Sequence, residues 1–483
     1  MSESEIKIEE SSIKSKTKAS GLVHAAYLTN WSIYGRGYDI MTMFPKDKIS
    51  MVIYSFMQIS VETGEVSLSD PWADIQKKID PSLPNPDVTP NVISGLIGAL
   101  FKMKQTHRSI KVLASFGGWT YSPAYLTVIR DPTKRQKFVS SAVRMMLDFG
   151  FDGIDVDIEY PGSAGLVEGL PGDKEDYLKT MQMFRFSLDA IGSYHYYLTA
   201  AIPADPTKLA AGFDLPKLNL IMDYFFVMTY DFTGAWLPLG TPFASHTSLN
   251  PITPTSFSIV GSFDYLTKNG FSASKIIMGG AMYGRGATVS DASSAVDAIG
   301  KPITGFPQGP YEKGIDDYLN LMSKTNFNSY LDVKSSAAYL FDSSTKSIWG
   351  LDTKETIIAK CNWIKSHCGG IFYWELSGDS RSSGLPKLFD VSHTALGVID
   401  SSLNNLSYPS SPYTNISNGS SVPVVPNPVP VVPNPVPVVP NPVPVVPSPV
   451  PSSIEAYLDS LSITFDGTQE QLNSYIKYLK SNK

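Results

Sequence analysis

A closed parallel (β/α)8 barrel, with a small α+β insertion after its seventh strand, is the fold that the sequence predicts. Eight short apolar runs of strand character alternate with helix-like segments from His24 to Glu375, a rhythm that favours a closed parallel barrel over a doubly wound sheet. Distinctive polar and aromatic residues stand at the C-terminal ends of the runs, the end at which such barrels carry their chemistry. The interval between Arg285 and Trp349 is too long for a simple barrel loop.

In chain order, residues 1–19 read as a flexible polar tail. His24–Trp31 is a first strand, Lys48–Phe56 a second, and Lys111–Phe116 a third that breaks at Gly117-Gly118-Trp119. Val92, Leu96, Leu100 and Met103 recur at helical spacing and predict a helix over Asn91–Lys104. A helix over Pro132–Phe149 feeds the fourth strand, and another over Tyr177–Ile191 follows it. Strands are expected over Tyr197–Pro203, Tyr224–Asp231 and Lys275–Tyr283. Next come Gly/Pro turns, a helical piece (Ile315–Met322) and a strand-like piece (Ala337–Phe341). Residues 286–348 are therefore expected to form an inserted domain within a catalytic unit spanning 20–400. Asp352-Thr353-Lys354-Glu355 has capping-box spacing ahead of a helix over Ile357–Ser366. Gly370–Glu375 is the eighth strand.

The fourth strand, within Phe151–Pro161, differs from the others. Ile154, Val156 and Ile158 alternate with Asp155, Asp157 and Glu159, so one face is apolar and the other carries three carboxylates in a row. Like charges along one face repel, and at least one must hold a proton or a strong hydrogen bond. An exposed edge strand kept soluble by acids is the simpler alternative, but the apolar face argues for burial. Glu159 is nearest the barrel mouth and is placed to act as an acid, with neighbouring negative charge raising its pKa. Asp157 lies about 6.6 Å below it along the strand, a separation compatible with an ordinary two-carboxylate glycosidase.

Composition narrows the partners. Net charge is −6 with no basic run, which argues against nucleic acid or an anionic membrane surface. Charged residues make up 17% and aromatic residues 11%, a balance that suits an uncharged polymer read by aromatic faces. The histidines show no zinc-type spacing, so neither metal nor cofactor is implied. Cys361 and Cys368, on one helix and its end, would stand about 10 Å apart, beyond disulfide reach, and are read as free thiols. No apolar run is long enough to span a membrane. The first eighteen residues lack the apolar core of a secretory signal. The expectation is a protein made soluble in the cytoplasm, reaching any outside substrate by a non-classical route or within a secreted complex.

The acidic strand resembles the D-G-x-D-x-D-x-E motif of family 18 glycoside hydrolases, the chitinase family, matching at Asp152, Gly153, Asp155, Asp157 and Glu159. Further resemblances are Tyr27, Phe56, Ser115-Phe116-Gly117-Gly118-Trp119, the M-x-Y-D pattern of Met228, Tyr230 and Asp231, Tyr283-Gly284-Arg285, and Trp374. The insertion, with Pro302-Ile303-Thr304-Gly305 and the return Ile348–Asp352, resembles the inserted domain of one chitinase subfamily. The resemblance implies a retaining chitinase in which the substrate's own 2-acetamido carbonyl is the nucleophile. Glu159 would be the acid, and Asp157 would orient the acetamido N–H and stabilise the oxazolinium intermediate while sharing a proton with Asp155. Tyr230 would hydrogen-bond the acetamido oxygen. Trp374 would floor the −1 subsite, Ser115 and Tyr27 would support Asp155, and Arg285 would bind sugar or acid groups along the groove.

Single residues have plainer readings. Met228 could fill core, Trp31 and Trp236 could be ordinary core aromatics, Gly117-Gly118 could only turn the chain, and Arg285 could pair with a structural acid. Alternatives at the level of function are an endo-N-acetylglucosaminidase acting on glycoproteins and a weakly catalytic chitin-binding component of a larger assembly.

Residues 401–451 read as a linker, rich in Ser and Asn and then built of four Val/Pro repeats over 422–449. That composition favours polyproline II, a stiff spacer roughly 90 Å long, over a ligand for a proline-reading domain. Residues 452–483 carry Leu472, Tyr475, Ile476 and Leu479 at helical spacing. They are too few to bury a core and are expected to fray, dock on a protein partner or self-associate.

Overall fold

In the computed structural model, the structure describes residues 21–253, 256–382 and 384–418. The expected N-terminal tail, Val/Pro repeat and C-terminal helical segment lie outside the described residues.

Eight parallel strands close on themselves: β1 (Val23–Thr29), β2 (Met51–Ile59), β3 (Lys111–Gly117), β4 (Gly153–Asp157), β5 (Tyr197–Pro203), β6 (Tyr224–Met228), β7 (Ile276–Ala281) and β8 (Gly370–Trp374). Closure is direct, because β1 pairs in parallel with both β2 and β8. Alternation along each strand sorts the side chains into two cores. Val23, Ala25 and Tyr27 of β1 join Met51, Ile53, Phe226, Ile277 and Phe372 inside the barrel. Ala26 and Leu28 face outward to the layer under the helices. On β4 and just past it, Ile154, Val156 and Ile158 belong to that outer layer. Asp155, Asp157 and Glu159, on the opposite side of the pleat, point into the barrel.

The helices form where local chemistry permits. Helix Pro132–Phe149 starts with Asp131, which accepts from the Thr133 and Lys134 N–H groups, has Pro132 in its first turn, and stops at Gly150 in the left-handed region. Helix Asp173–Asp189 begins four residues before the expected Tyr177; Asp173, Glu175 and Asp176 suit the positive end of its dipole. Helix Lys354–His367 is capped by Thr353, whose N–H donates to Thr356 Oγ1 at 2.9 Å, and not by the expected Asp352/Glu355 pair. Asp352 is instead buried against Lys360 at 2.6 Å. Cys361 and Cys368 are buried free thiols.

Most expected strands end earlier than alternation suggested, because chains leaving the barrel turn at once into loops. Residues 30–33 form a 3-10 turn, not the end of β1. Three do not: β5 ends at Pro203 as expected, β3 runs one residue further to Gly117, and β2 runs on to Ile59 and pairs antiparallel with a short ninth strand, Val66–Leu68, that sequence reasoning missed. The stretch expected as one strand over Lys275–Tyr283 is two. β7 ends at Ala281, and Tyr283–Val289 opens a second, antiparallel sheet with Ile303–Gly305, Ile315–Asp317, Asn328–Asp332, Ala337–Asp342 and Ser347–Leu351. The expected helix over Ile315–Met322 is therefore a strand as far as Asp317, and a helix from Tyr318 to Ser323.

Residues expected to begin a linker at 401 are packed against the barrel. Leu22 pairs with Ile399, and Asp400 meets Lys111 at 2.8 Å, both essentially buried. Asn404 donates to the Lys104 and Ile110 carbonyls, and the Tyr408 hydroxyl donates to the Phe151 carbonyl at 2.8 Å. This strap crosses the N-terminal end of the barrel and then lies along its helices, with Ile416 buried. Serine and asparagine here satisfy buried backbone groups, which composition alone reads as a flexible linker.

Candidate active site

The mouth of the barrel gathers the three acids of β4 and the aromatic residues at neighbouring strand ends. Asp155 is the best satisfied of the acids. Its Oδ2 accepts from the Tyr27 hydroxyl at 2.9 Å and from Ser115 Oγ at 2.7 Å, and its Oδ1 accepts from Thr199 Oγ1 at 2.7 Å. Register explains the arrangement: Ser115 on β3 and Thr199 on β5 stand directly beside Asp155. Burial pushes the Asp155 carboxyl up to about 6, and the three hydroxyls oppose that rise.

Asp157 is buried too, but its Oδ1 has no hydrogen-bond partner. Burial first, then the Glu159 and Asp155 charges, hold its pKa well above the usual carboxylate range. Glu159 is pushed up to about 7, mainly by burial. The expected cause, neighbouring charge, is secondary and comes from Asp231, while a hydrogen bond from Tyr160 pulls the other way. The Glu159 N–H donates to Ser122 Oγ at 2.8 Å, which fixes the chain just beyond the end of β4. Asp152, the first acid of the motif, lies away from the mouth and is paired with buried Lys104 at 2.8 Å.

Gly117 and Gly118 do more than turn the chain. A Cβ on Gly117 would stand 1.8 Å from the Asp157 carbonyl oxygen, and one on Gly118 would stand 2.4 Å from the Phe56 ring. Both have positive φ, so glycine alone allows β3 to approach the acids this closely. The next residue, Trp119, is a half-exposed plate at the rim.

Trp374 ends β8 and stacks on Phe56 with ring centroids 5.6 Å apart and planes 22° apart. The Tyr27 ring meets Trp374 edge-on at 5.4 Å. Tyr230 is buried against Tyr283 and Phe372, and Met228 is half-buried against the same inner cluster. Asp231 has φ +58° and takes the Tyr283 hydroxyl at 2.6 Å and both arms of Arg285 at 2.9 Å. Burial would raise its pKa, but the Arg285 guanidinium and His246 hold it well below the usual range. Arg285 thus has a committed structural partner in Asp231, with Glu312 a second at 2.8 Å. Trp31 and Trp236 are 39% and 56% exposed, so neither is a core residue.

Sequence reasoning missed Thr199, Ser122, Tyr160, Lys208 and His246. Thr199 carried a usable signal, a polar residue at an inward position of a strand. Lys208, whose ammonium lies 3.8 Å from the Tyr160 ring centroid, had none, because it comes from a separate short helix, Pro206–Gly212. Among the described residues, no group of three or more His, Cys, Asp or Glu side chains is arranged to hold a metal, and no helix is long and apolar enough to cross a membrane.

A proton-holding glutamate, a second buried acid with an open oxygen and a floor of aromatic rings suit acid-assisted cleavage of a glycosidic bond. Known proteins agree. The chain is 33% identical over 410 residues to Chitinase 1 of Aphanocladium album, covering 83% of this chain and 92% of that protein. It is 34% identical over 404 residues to Endochitinase 1 of Metarhizium anisopliae, covering 82% and 90%. Among solved structures, a chitinase from Bacillus thuringiensis superposes with a TM-score of 0.71 at 26% identity, covering 78% of this chain and 70% of that one. The Group IV chitinase of Ostrinia furnacalis, in complex with allosamidin, gives 0.67 at 25%, covering 78% and 98%. The sequence profile of glycosyl hydrolases family 18 matches residues 23–379, and the chain belongs to that family.

Proposed function

We propose that this protein is a retaining chitinase that hydrolyses β-1,4 linkages between N-acetylglucosamine units, with the substrate's own acetamido oxygen as nucleophile. The observation that carries the reading is the setting of Asp157, buried between two other acids with an Oδ1 that no group satisfies. A conventional retaining glycosidase needs an ionised carboxylate to attack the sugar. Asp157 is buried, crowded by Glu159 and Asp155, and biased toward its protonated form. Its unpartnered Oδ1 offers an acceptor to a substrate amide N–H, and an unsatisfied buried acceptor is costly until something fills it.

In this scheme Glu159 protonates the leaving oxygen, and Asp157 takes the acetamido N–H so that the carbonyl oxygen can reach the anomeric carbon. Tyr230 donates to that oxygen, and Asp157 stabilises the resulting oxazolinium while sharing a proton with Asp155, which its three hydroxyls hold in place. The sugar rests on Trp374. Water then opens the ring with Glu159 as base, and two inversions give net retention. The chitinases among the relatives support chitin or chito-oligosaccharides as substrate.

The test is the first product. Proton NMR of fresh digests of chito-oligosaccharides should show the β anomer, and fully deacetylated oligomers should resist. An α anomer first, or equal cleavage of the deacetylated chain, would overturn the scheme. Glu159→Gln should bind oligomers normally while losing about 10²–10⁴ in kcat, and Asp157→Asn should also be crippled.

A further inference from the structure

Two arginines tie the second sheet to the barrel mouth, at opposite ends of one short ladder. Tyr283 stands opposite Asp317 and Arg285 opposite Ile315. Residues directly opposite share a face, so Tyr283, Arg285 and Asp317 project the same way. At one end Arg285 of the second sheet reaches Asp231 of the barrel. At the other end the polarity is reversed. Asp317 of the second sheet receives Arg36 of the barrel, through Nε at 2.9 Å and a terminal nitrogen at 2.8 Å. The remaining terminal nitrogen lies 3.0 Å from Glu375 Oε1. Each guanidinium also covers a half-exposed ring, Trp236 at 4.9 Å from Arg285 and Tyr311 at 4.6 Å from Arg36.

Arg36 joins three segments that bear on substrate. Its own loop carries Trp31 and Tyr34, 39% and 47% exposed. Glu375 directly follows Trp374, which lies 6.5 Å from Trp31. Asp317 belongs to the wall formed by the second sheet. Nothing stands within 4 Å of where a Cβ would be on Gly35 or Gly37, the residues flanking Arg36, so the tip of the loop is not held by packing. Tyr34 is held separately, its hydroxyl donating to Asp70 and its ring stacking on Trp72; the tip itself is anchored by the Arg36 side chain and by the Arg36 carbonyl, which accepts from Arg381. One cation serves two largely buried acids, a task suited to the planar, multi-donor arginine fork and not to lysine.

We propose that Arg36 is a positioning residue that fixes Trp31 relative to Trp374 and the second sheet, and thereby sets how firmly the enzyme holds chito-oligosaccharides extending past the reacting sugar. The proposal rests on the chitinase reading. Long substrates depend on Arg36, and short ones do not.

The test uses the full chain with Arg36→Met, Arg36→Lys and Asp317→Asn. Steady-state kinetics are measured on N-acetylglucosamine hexamer and on a chromogenic dimer, and hexamer binding is followed separately by tryptophan fluorescence. For Arg36→Met we expect KM for the hexamer to rise about tenfold while kcat for the dimer stays within about twofold. Arg36→Lys should resemble Arg36→Met, and fluorescence should report the same loss of affinity. A purely structural role would lower the thermal midpoint and the active fraction yet leave hexamer KM unchanged, and that result overturns the proposal. If Arg36→Met does not fold, Asp317→Asn decides, since it releases the second sheet while Arg36 keeps Glu375; an unchanged hexamer KM there is equally fatal. A wild-type protein that binds hexamer without cleaving it defeats the chitinase reading alone, and the fluorescence comparison still judges Arg36.

Discussion

Glu159 and Asp155 sit near neutrality for the same reason: both carboxyls are buried, and burial penalises their charged forms. For Glu159 the consequence for rate has a definite sign. The acid works only while protonated, so kcat/KM should fall about tenfold per pH unit above roughly pH 7, a limb that a pH–rate profile on a soluble oligomer would show. Stability follows the same proton. Glu159 is raised from its ordinary 4.5 to about 7, so between those values the unfolded chain has released a proton that the folded chain retains. The contribution is complete below about pH 4.5 and is lost as pH rises through 7. The acids themselves were legible from alternation on one strand. The ranking of causes was not, because repulsion is visible in a sequence whereas depth of burial depends on residues supplied by seven other strands. Nor could the sequence tell that Arg285 is engaged by Asp231, since the two lie on separate segments.

At the scale of elements, regular segments were legible where a cap and a period agreed. Helix Pro132–Phe149 matches its expected span, and its signals are local: Asp131, Pro132 and Gly150. Asp131→Ala removes the acceptor for two N–H groups and should cost about 1 kcal/mol, read as a lower denaturant midpoint with kcat unchanged, because the helix lies behind the acidic strand and not in the site. Boundaries failed where apolar character outlasted pairing. Tyr224–Asp231 reads as one strand, yet pairing ends at Met228, and Asp231 adopts a left-handed conformation that turns its carboxylate toward Arg285. Similarly, Met282 separates two strands that periodicity joins. Glu159 and Asp231 therefore owe their setting to segments immediately beyond strand ends, where period-two reasoning stops applying, whereas Asp155 is set by neighbouring strands.

For the whole molecule, the eightfold alternation identified the barrel, while its closing strap was invisible because serine, asparagine and proline describe a docked segment and a linker equally well. Asp400→Ala tests the strap. It strips the carboxylate from Lys111, which has no exposed surface, and breaking such a buried pair costs roughly 3–5 kcal/mol; urea unfolding of the variant should show that loss, and an unchanged midpoint would mean that this ion pair contributes nothing. Lys111 and Asp400 are 289 positions apart. On a ribosome adding about 5–20 residues per second, the lysine waits roughly 15–60 seconds for its counter-charge to emerge. The barrel itself cannot close until β8 has emerged, so the floor is the last part of the catalytic unit to be covered, at the end farthest from its chemistry.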